Sequence, residues 1–234
     1  MRQLDLLRLK QQQFFEGCSF INSRSEIRTG RLSGTQEELL LAYLDLLIRW
    51  NSKMDLVSPA PPDVLLERHI VDSFAASVLI DHLLGLPACD DFIDIGSGAG
   101  LPGIVMAIVE PDRKFVLCEP RQKRVAFLKE VVRSLELVNA EVFEGRAESW
   151  AQKPIRDGES SFSLAICRAL DRKTNFLEIS KELVGKQGYL VSMAGPSWEK
   201  EQESSCGCNE PQVHLYQLGP NGPYRKLVVW KCFT

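Results

Sequence analysis

The stretch Asp91-Phe92-Ile93-Asp94-Ile95-Gly96-Ser97-Gly98-Ala99-Gly100-Leu101-Pro102-Gly103 decides the fold. A short apolar run ends in a carboxylate, three glycines follow at alternate positions, and Pro102 opens an apolar segment, Ile104 to Val109. Glycine permits positive φ and lets a ligand lie against bare backbone. Proline is tolerated in a first helical turn, where its missing N–H costs nothing. The stretch therefore predicts a strand, a tight turn and a helix, the nucleotide-binding corner of a doubly wound α/β sheet. A plain βα turn with no ligand is the competing reading. Three glycines in one turn argue against it, because each adds unfolded-state entropy that folding must remove.

Gly98-x-Gly100-x-x-Gly103 also satisfies the dinucleotide fingerprint, and by itself that match is weak. Asp94 shifts the balance. A pyrophosphate gains nothing from a carboxylate two residues before the first glycine, whereas the ammonium and sulfonium of S-adenosylmethionine (SAM) are attracted to one. The next expected strand, Lys114 to Cys118, ends in Glu119, placed to accept hydrogen bonds from two ribose hydroxyls. Asp-x-Gly-x-Gly-x-Gly with a carboxylate closing the second strand resembles a class I SAM-dependent methyltransferase.

From that corner the βα rhythm continues. An amphipathic helix spans Arg121 to Leu135 with Val125, Leu128, Val132 and Leu135 on its apolar face; a third strand, Ala140 to Phe143, precedes a short turn, Ala147 to Ala151. A fourth strand, Phe162 to Cys167, a helix from Asn175 to Val184 and a fifth strand, Tyr189 to Met193, follow. This alternation predicts a mostly parallel sheet with right-handed crossovers. Gln212 to Leu218 and Lys226 to Phe233 are strand-like, and Gly219 to Pro223 between them is too short for a helix, so they form an antiparallel pair at one edge. The sum is a Rossmann-like α/β fold with a mostly parallel seven-stranded sheet.

Upstream, Thr35-Gln36-Glu37-Glu38 reads as a capping box opening a helix that ends near Trp50. Asp63 is expected to cap a second helix, Val64 to Leu84, closed by Gly85. Residues 1–88 are thus a helical extension capping the SAM-binding part, 89–234. The first 34 residues, with a Leu-rich helix candidate at Leu4 to Phe15, read as a mobile arm.

The 234 residues, 44% hydrophobic and 25% charged, are ordinary for a globular protein. No apolar run is long enough to span a bilayer, and the first residues lack the pattern of a secretory signal, so a cytoplasmic protein without membrane contact is expected. Seven cysteines, scattered and without a Cys-x-x-Cys pair, point to reduced thiols and no metal centre. The net charge of −3 does not announce a nucleic-acid binder, but phosphate contacts need only local positive potential. Arg121, Lys123 and Arg124 follow the second strand, and Arg168 ends the fourth, on the rim where such sheets bind ligands.

Flanking motifs narrow the resemblance. Trp50-Asn51, His69-Ile70-Val71-Asp72-Ser73, the glycine turn, Gly145-Arg146-Ala147-Glu148 and Cys167-Arg168-Ala169 occur in that order, and from Glu38 to Gly195 the chain resembles the bacterial guanosine-N7 methyltransferases of small-subunit rRNA, the glucose-inhibited division protein B family. The resemblance implies methyl transfer from SAM to N7 of a guanosine in the 530 loop of 16S rRNA (position 527), on free rRNA or the small subunit, by a monomer. It implies a cofactor site of Asp94, Gly96, Ser97, Gly98, Gly100, Leu101, Glu119, Ala147, Glu148 and Arg168. Asp94 lies toward the ammonium, Glu119 holds the ribose, and Ala147-Glu148 meets adenine. Arg168 and Arg146 are the catalytic candidates, acting on guanine O6 or phosphate; Lys123, Arg124 and Arg146 contact RNA.

The fourth strand fits this. It ends Ile166-Cys167-Arg168-Ala169 and lacks the Asn/Asp-Pro-Pro-aromatic grip of amino-group methyltransferases. Guanine N7 already carries a lone pair, so alignment suffices and no general base is needed. Cys167 reads as a small buried residue, and His69, Asp72 and Ser73 as one helix face of the cap. Two positions depart from the family pattern: Val57 stands where Thr is usual, and Ala194 where Lys is usual. The rival readings are a SAM enzyme acting on another RNA, a protein or a small molecule, a non-catalytic SAM-binding regulator, and a nicotinamide oxidoreductase, to which Asp94 is the main objection.

Overall fold

A computed structural model describes residues 2–17, 31–151, 162–168, 176–195, 198, 208–218 and 224–233. Its centre is a seven-stranded sheet in the order β3-β2-β1-β4-β5-β7-β6. The strands are β1 (Phe92–Ile95), β2 (Phe115–Glu119), β3 (Ala140–Glu144), β4 (Phe162–Arg168), β5 (Val184–Ala194), β6 (Gln212–Tyr216) and β7 (Arg225–Lys231). The first five pair in parallel, and β7 lies antiparallel between β5 and β6. The segment joining the last two strands, 219–223, lies outside the described residues, as does residue 169 beyond β4.

Alternation along the strands feeds two cores. Phe92, Phe115, Leu117 and Leu164 point to the face covered by α5 (Gly103–Val109), α6 (Gln122–Ser134) and the N-terminal helices. Ile93, Val116, Cys118 and Ala165 point to the other face, under α7 (Ala147–Ala151) and α8 (Phe176–Leu183). On α6 the buried residues are Val125, Phe127, Leu128 and Val131, with Val132 and Leu135 half-buried beside them.

The cap is built from α1 (Gln3–Gly17), α2 (Gly34–Asn51), α3 (Pro62–Leu65), a π-helical turn (Leu66–Val71) and α4 (Asp72–Leu84). It shares the first core: Leu40, Leu47 and Phe74 pack in the same cluster as Phe92 and Leu117. A buried polar clamp closes the seam, with Ser77 donating to Glu110 at 2.6 Å and Arg113 to Glu110 at 2.7 Å. The Arg113 guanidinium lies 4.1 Å from the centre of the Phe92 ring and donates to the Pro87 carbonyl.

Four expectations are corrected here. The first helix is no arm: Leu7 and Phe14 are buried, Phe14 and Phe15 pack edge-on to Phe74, and Arg8 pairs with Glu37; residues 18–30 lie outside the described residues. The capping box starts two residues earlier, with Ser33 accepting from the Gln36 N–H and Gln36 accepting from the Ser33 N–H. Gln36 also donates to the Ile108 and Val109 carbonyls at the end of α5, and that tertiary bond selects its register over that of Thr35 and Glu38. The second cap helix reaches Leu84 as expected but is not α-helical throughout. Pro61 precedes its first turn without a side-chain cap, Asp63 lies inside that turn, and the π turn intervenes before α4 ends at Gly85, in the left-handed region. Finally, the cysteines are not all scattered. Cys208 and Cys232 meet in an antiparallel bridge with sulfurs 3.1 Å apart, and burial, with Cys208 alongside, pushes the Cys232 thiol up to about 12.

Candidate active site

β1 and β4 are adjacent, but the strand order runs outward from them in opposite directions, so the loops at their C-terminal ends part and leave a crevice. The glycine turn leaves β1 there, and Arg168 ends β4 there. Asp94 pairs with Ile166, which brings Arg168 level with Gly96.

Gly96, Gly98 and Gly100 all hold positive φ, at 72°, 58° and 88°. Gly96 is exposed, and a Cβ built on it would meet nothing within 4 Å, so open space lies over the bare backbone. Ser97 is buried and its hydroxyl donates to the Asp94 carbonyl at 2.9 Å. Leu101 is buried on the first core.

Asp94 is completely buried. Its Oδ2 accepts from the Gly103 N–H at 3.0 Å, a contact that glycine alone allows, because a Cβ at 103 would run into the Leu117 side chain and come within 2.7 Å of that oxygen. Oδ1 is buried without any hydrogen-bond partner. Burial pushes this carboxyl up to about 7; the Gly103 bond, the nearby Ser97 hydroxyl and the positive charge of Arg168 oppose the rise, and Glu119 adds to it.

Glu119, also buried, lies across the turn. Its Oε2 accepts from the Gly98 N–H and its Oε1 from the Arg121 N–H, each at 2.9 Å. Each oxygen keeps a second acceptor site. Arg124, a candidate RNA contact, is half-buried: its Nη1 lies 3.9 Å from Glu119 Oε2 and would touch a Cβ placed on Gly98. Lys123 beside it is exposed. The Gly145 N–H donates to the Glu119 carbonyl, holding the end of β3 against the site; from there Ala147 is buried, Glu148 half-buried and Arg146 exposed.

The N-terminal helices and the tail strands supply further contacts to the site. Tyr43 of α2 donates its hydroxyl to the Ala99 carbonyl at 2.6 Å and so fastens the cap to the glycine turn. Asn51 accepts from the Leu56 and Val57 N–H groups, shaping the loop after α2, and Trp50 packs on Phe127 of α6 with ring centres 5.6 Å apart. Asp72 is the buried hub of a charge cluster. Arg168 Nη2 lies 3.2 Å from its Oδ2, Arg225 Nε 3.4 Å from its Oδ1, and the Tyr216 hydroxyl donates to Oδ1 at 2.9 Å. Arg168 Nη2 also donates to the Arg68 carbonyl at 2.6 Å, while its Nη1 is buried and unpartnered. Burial, with Arg168, Arg68 and Arg225 adding positive charge, pushes His69 down to about 4, so the ring is neutral at pH 7. The only hint of Tyr216 in the sequence is that a buried tyrosine hydroxyl needs a partner. Among the described residues no His, Cys, Asp and Glu group is arranged to hold a metal.

The strand order, the positive-φ glycine turn and the acidic end of β2 define a class I SAM-dependent methyltransferase fold. Two solved structures share it: cofactor-bound Rv0187 from MTB, at TM-score 0.56 and 13% identity over 93% of this chain and 94% of that one, and a provisionally named O-methyltransferase from Klebsiella pneumoniae, at TM-score 0.55 and 13% identity over 97% and 100%. The family model for rRNA small subunit methyltransferase G matches residues 36–215. Proteins named ribosomal RNA small subunit methyltransferase G are similar in sequence. The one from Sodalis glossinidius is 42% identical over 81% of this chain and 93% of its own, that from Enterobacter sp. strain 638 is 36% identical over 81% and 92%, and that from Desulfitobacterium hafniense is 31% identical over 85% and 82%. The chain belongs to the rRNA small subunit methyltransferase G family.

Proposed function

We propose that this chain transfers a methyl group from SAM to N7 of a guanosine in the 530 loop of 16S rRNA, as a cytoplasmic monomer whose residues 1–88 cap the catalytic part, 89–234. One observation carries the cofactor reading: at the foot of a bare-backbone turn, a buried carboxylate oxygen, Asp94 Oδ1, has no partner. A buried acceptor left unsatisfied is costly, and a cationic donor removes that cost. SAM carries such a donor beside an activated methyl group.

Asp94 receives the ammonium. Gly96, Ser97, Gly98, Gly100 and Leu101 lie along the methionine and ribose, and Glu119 takes the ribose hydroxyls on its free acceptor sites. Ala147 and Glu148 bound the adenine. Arg168, anchored by Asp72, keeps Nη1 for an anionic oxygen at the crevice, either on the methionine end or at guanine O6, and Arg146 and Lys123 reach phosphate. N7 needs no deprotonation, so the site works by holding nucleophile and methyl group in line. The neutral His69 is not required as a base.

The test is to incubate radiolabelled SAM with small subunits from cells lacking this activity and to map the product. Label as N7-methylguanosine in the 530 loop is expected. Label at another base or position overturns the substrate assignment, and no label on any RNA overturns the RNA reading.

A further inference from the structure

The loop after α2 lies over the first turn of α6. Between them is a cavity of about 440 Å³ lined by Lys53, Met54 and Asp55 on one side and Arg121, Gln122, Lys123 and Arg124 on the other. Four of these seven side chains are cations and one is an anion. Lys53, Arg121 and Lys123 are exposed, and none makes a side-chain hydrogen bond or ion pair among the described residues. Four like charges with one lining counter-charge, Asp55, repel one another, and an anion in the groove relieves that repulsion.

We propose that this groove binds the phosphodiester backbone of the substrate RNA next to the target nucleotide, with Lys53 and Arg121 as its principal phosphate contacts. This rests on the RNA reading above. The groove adjoins the glycine turn through Arg124, which both lines it and lies 3.9 Å from Glu119, so a strand held here passes the crevice. A larger cavity of about 700 Å³ continues between α2 and α6 from the shared Lys53 and Met54. There Asp45 and Glu130 stand among the lining residues with Arg49, so the uncompensated positive charge stops at Lys53. That boundary separates the groove from a generally basic surface and supplies a control.

The probe is a transcribed rRNA fragment carrying the 530 loop, bound by wild type, Lys53→Glu, Arg121→Glu and the control Arg49→Glu across a salt series, with SAM affinity measured in parallel. Each groove variant is expected to bind the fragment about tenfold more weakly than wild type at low salt. The slope of log affinity against log salt should fall by roughly 0.7–0.9 for each phosphate no longer neutralised. Arg49→Glu should stay within about twofold of wild type, and SAM affinity and thermal unfolding should be unchanged in all three. Groove variants that behave like Arg49→Glu overturn the proposal while leaving the methyltransferase reading standing. Abolished methylation with unchanged RNA affinity and salt slope overturns it in favour of an acidic protein partner. Wild type that neither binds nor methylates the fragment or intact subunits removes the RNA reading and this groove with it.

Discussion

Replacing Asp94 by asparagine should make the protein more stable and its cofactor site worse. The carboxyl is fully buried, holds one hydrogen bond from Gly103 and has its pKa pushed to about 7 from an ordinary value of 3.8. An acid whose folded pKa is raised binds more protons in the native than in the unfolded chain between those two values. The native state therefore loses stability as pH rises through that window, and the loss is complete above about 7. The displacement corresponds to about 4 kcal/mol. Asparagine keeps an acceptor for the Gly103 N–H and removes the charge, but leaves an amide N–H₂ where Oδ1 is unpartnered, at a cost of about 1–3 kcal/mol. Asp94→Asn should thus be about 1–3 kcal/mol more stable than wild type at pH 8, with the advantage gone near pH 4. Urea unfolding of the two proteins side by side from pH 4 to pH 8 reads this difference directly, because other titrating groups cancel. Calorimetry should show SAM affinity lowered by about 1.5–3 kcal/mol, roughly ten- to hundredfold. Wild-type affinity should strengthen between pH 5.5 and 7, while that of the variant stays flat over the same range. A variant less stable than wild type at pH 8, or a stability difference that ignores pH, refutes the assignment of a strained buried carboxylate.

Three further outcomes follow from the same contacts. Gly103→Ala should destabilise by about 1–3 kcal/mol in denaturant unfolding, because its Cβ collides with Leu117 and crowds Asp94; a neutral result would mean the turn is looser than described. Tyr43→Phe leaves the Ala99 carbonyl without its donor, so a loss of about 1 kcal/mol in unfolding, with SAM affinity a few-fold weaker, is expected. Tyr216→Phe removes one of three partners from Asp72 and loosens the anchor of Arg168; methyl transfer should slow several-fold while SAM affinity, measured by calorimetry, holds, and equal loss of both would place Tyr216 in cofactor binding.

What is legible in the sequence has local causes. The helix Gly103–Val109 falls where the apolar segment after Pro102 is expected, and the short α7, Ala147–Ala151, where a turn is expected, because each follows a glycine-containing turn. The placement of Asp94, Glu119 and Arg168 at the sheet's rim can be read because each lies in the last two positions of a strand. The capping register cannot. Ser33 with Gln36 and Thr35 with Glu38 both fit the motif, and the deciding bond runs from Gln36 to the far end of α5. The docking of the first helix is hidden for a similar reason, since its polar composition masks Leu7 and Phe14, which pack into the shared core with Phe74 of α4. Tyr43 and Tyr216 find their acceptors 56 and 144 residues away, beyond any local pattern. The π turn shifts helical phase within Leu66–Val71, just ahead of Asp72, and apolar periodicity of that length does not show such a shift; π bulges of this kind recur at functional sites.

The family match ends at residue 215, yet Tyr216 and Arg225 just beyond it reach Asp72 in the cap. The tail strands are therefore part of the site's support. Two guanidinium groups on one buried carboxylate leave the hub with surplus positive charge, and the surplus is expressed at Arg168 Nη1, a buried donor with no acceptor. On the neighbouring strand Asp94 Oδ1 is a buried acceptor with no donor, and the two residues feel each other electrostatically. Either orphan alone would be a defect costing about 1–3 kcal/mol. As a pair at the switch point they match a ligand end that carries an ammonium and a carboxylate together, which is what an amino acid presents. Under the proposed assignment of Arg168 to the methionine end, a zwitterion would satisfy both at once, and the unmet bonds that weaken the empty protein would supply affinity for that end of the donor.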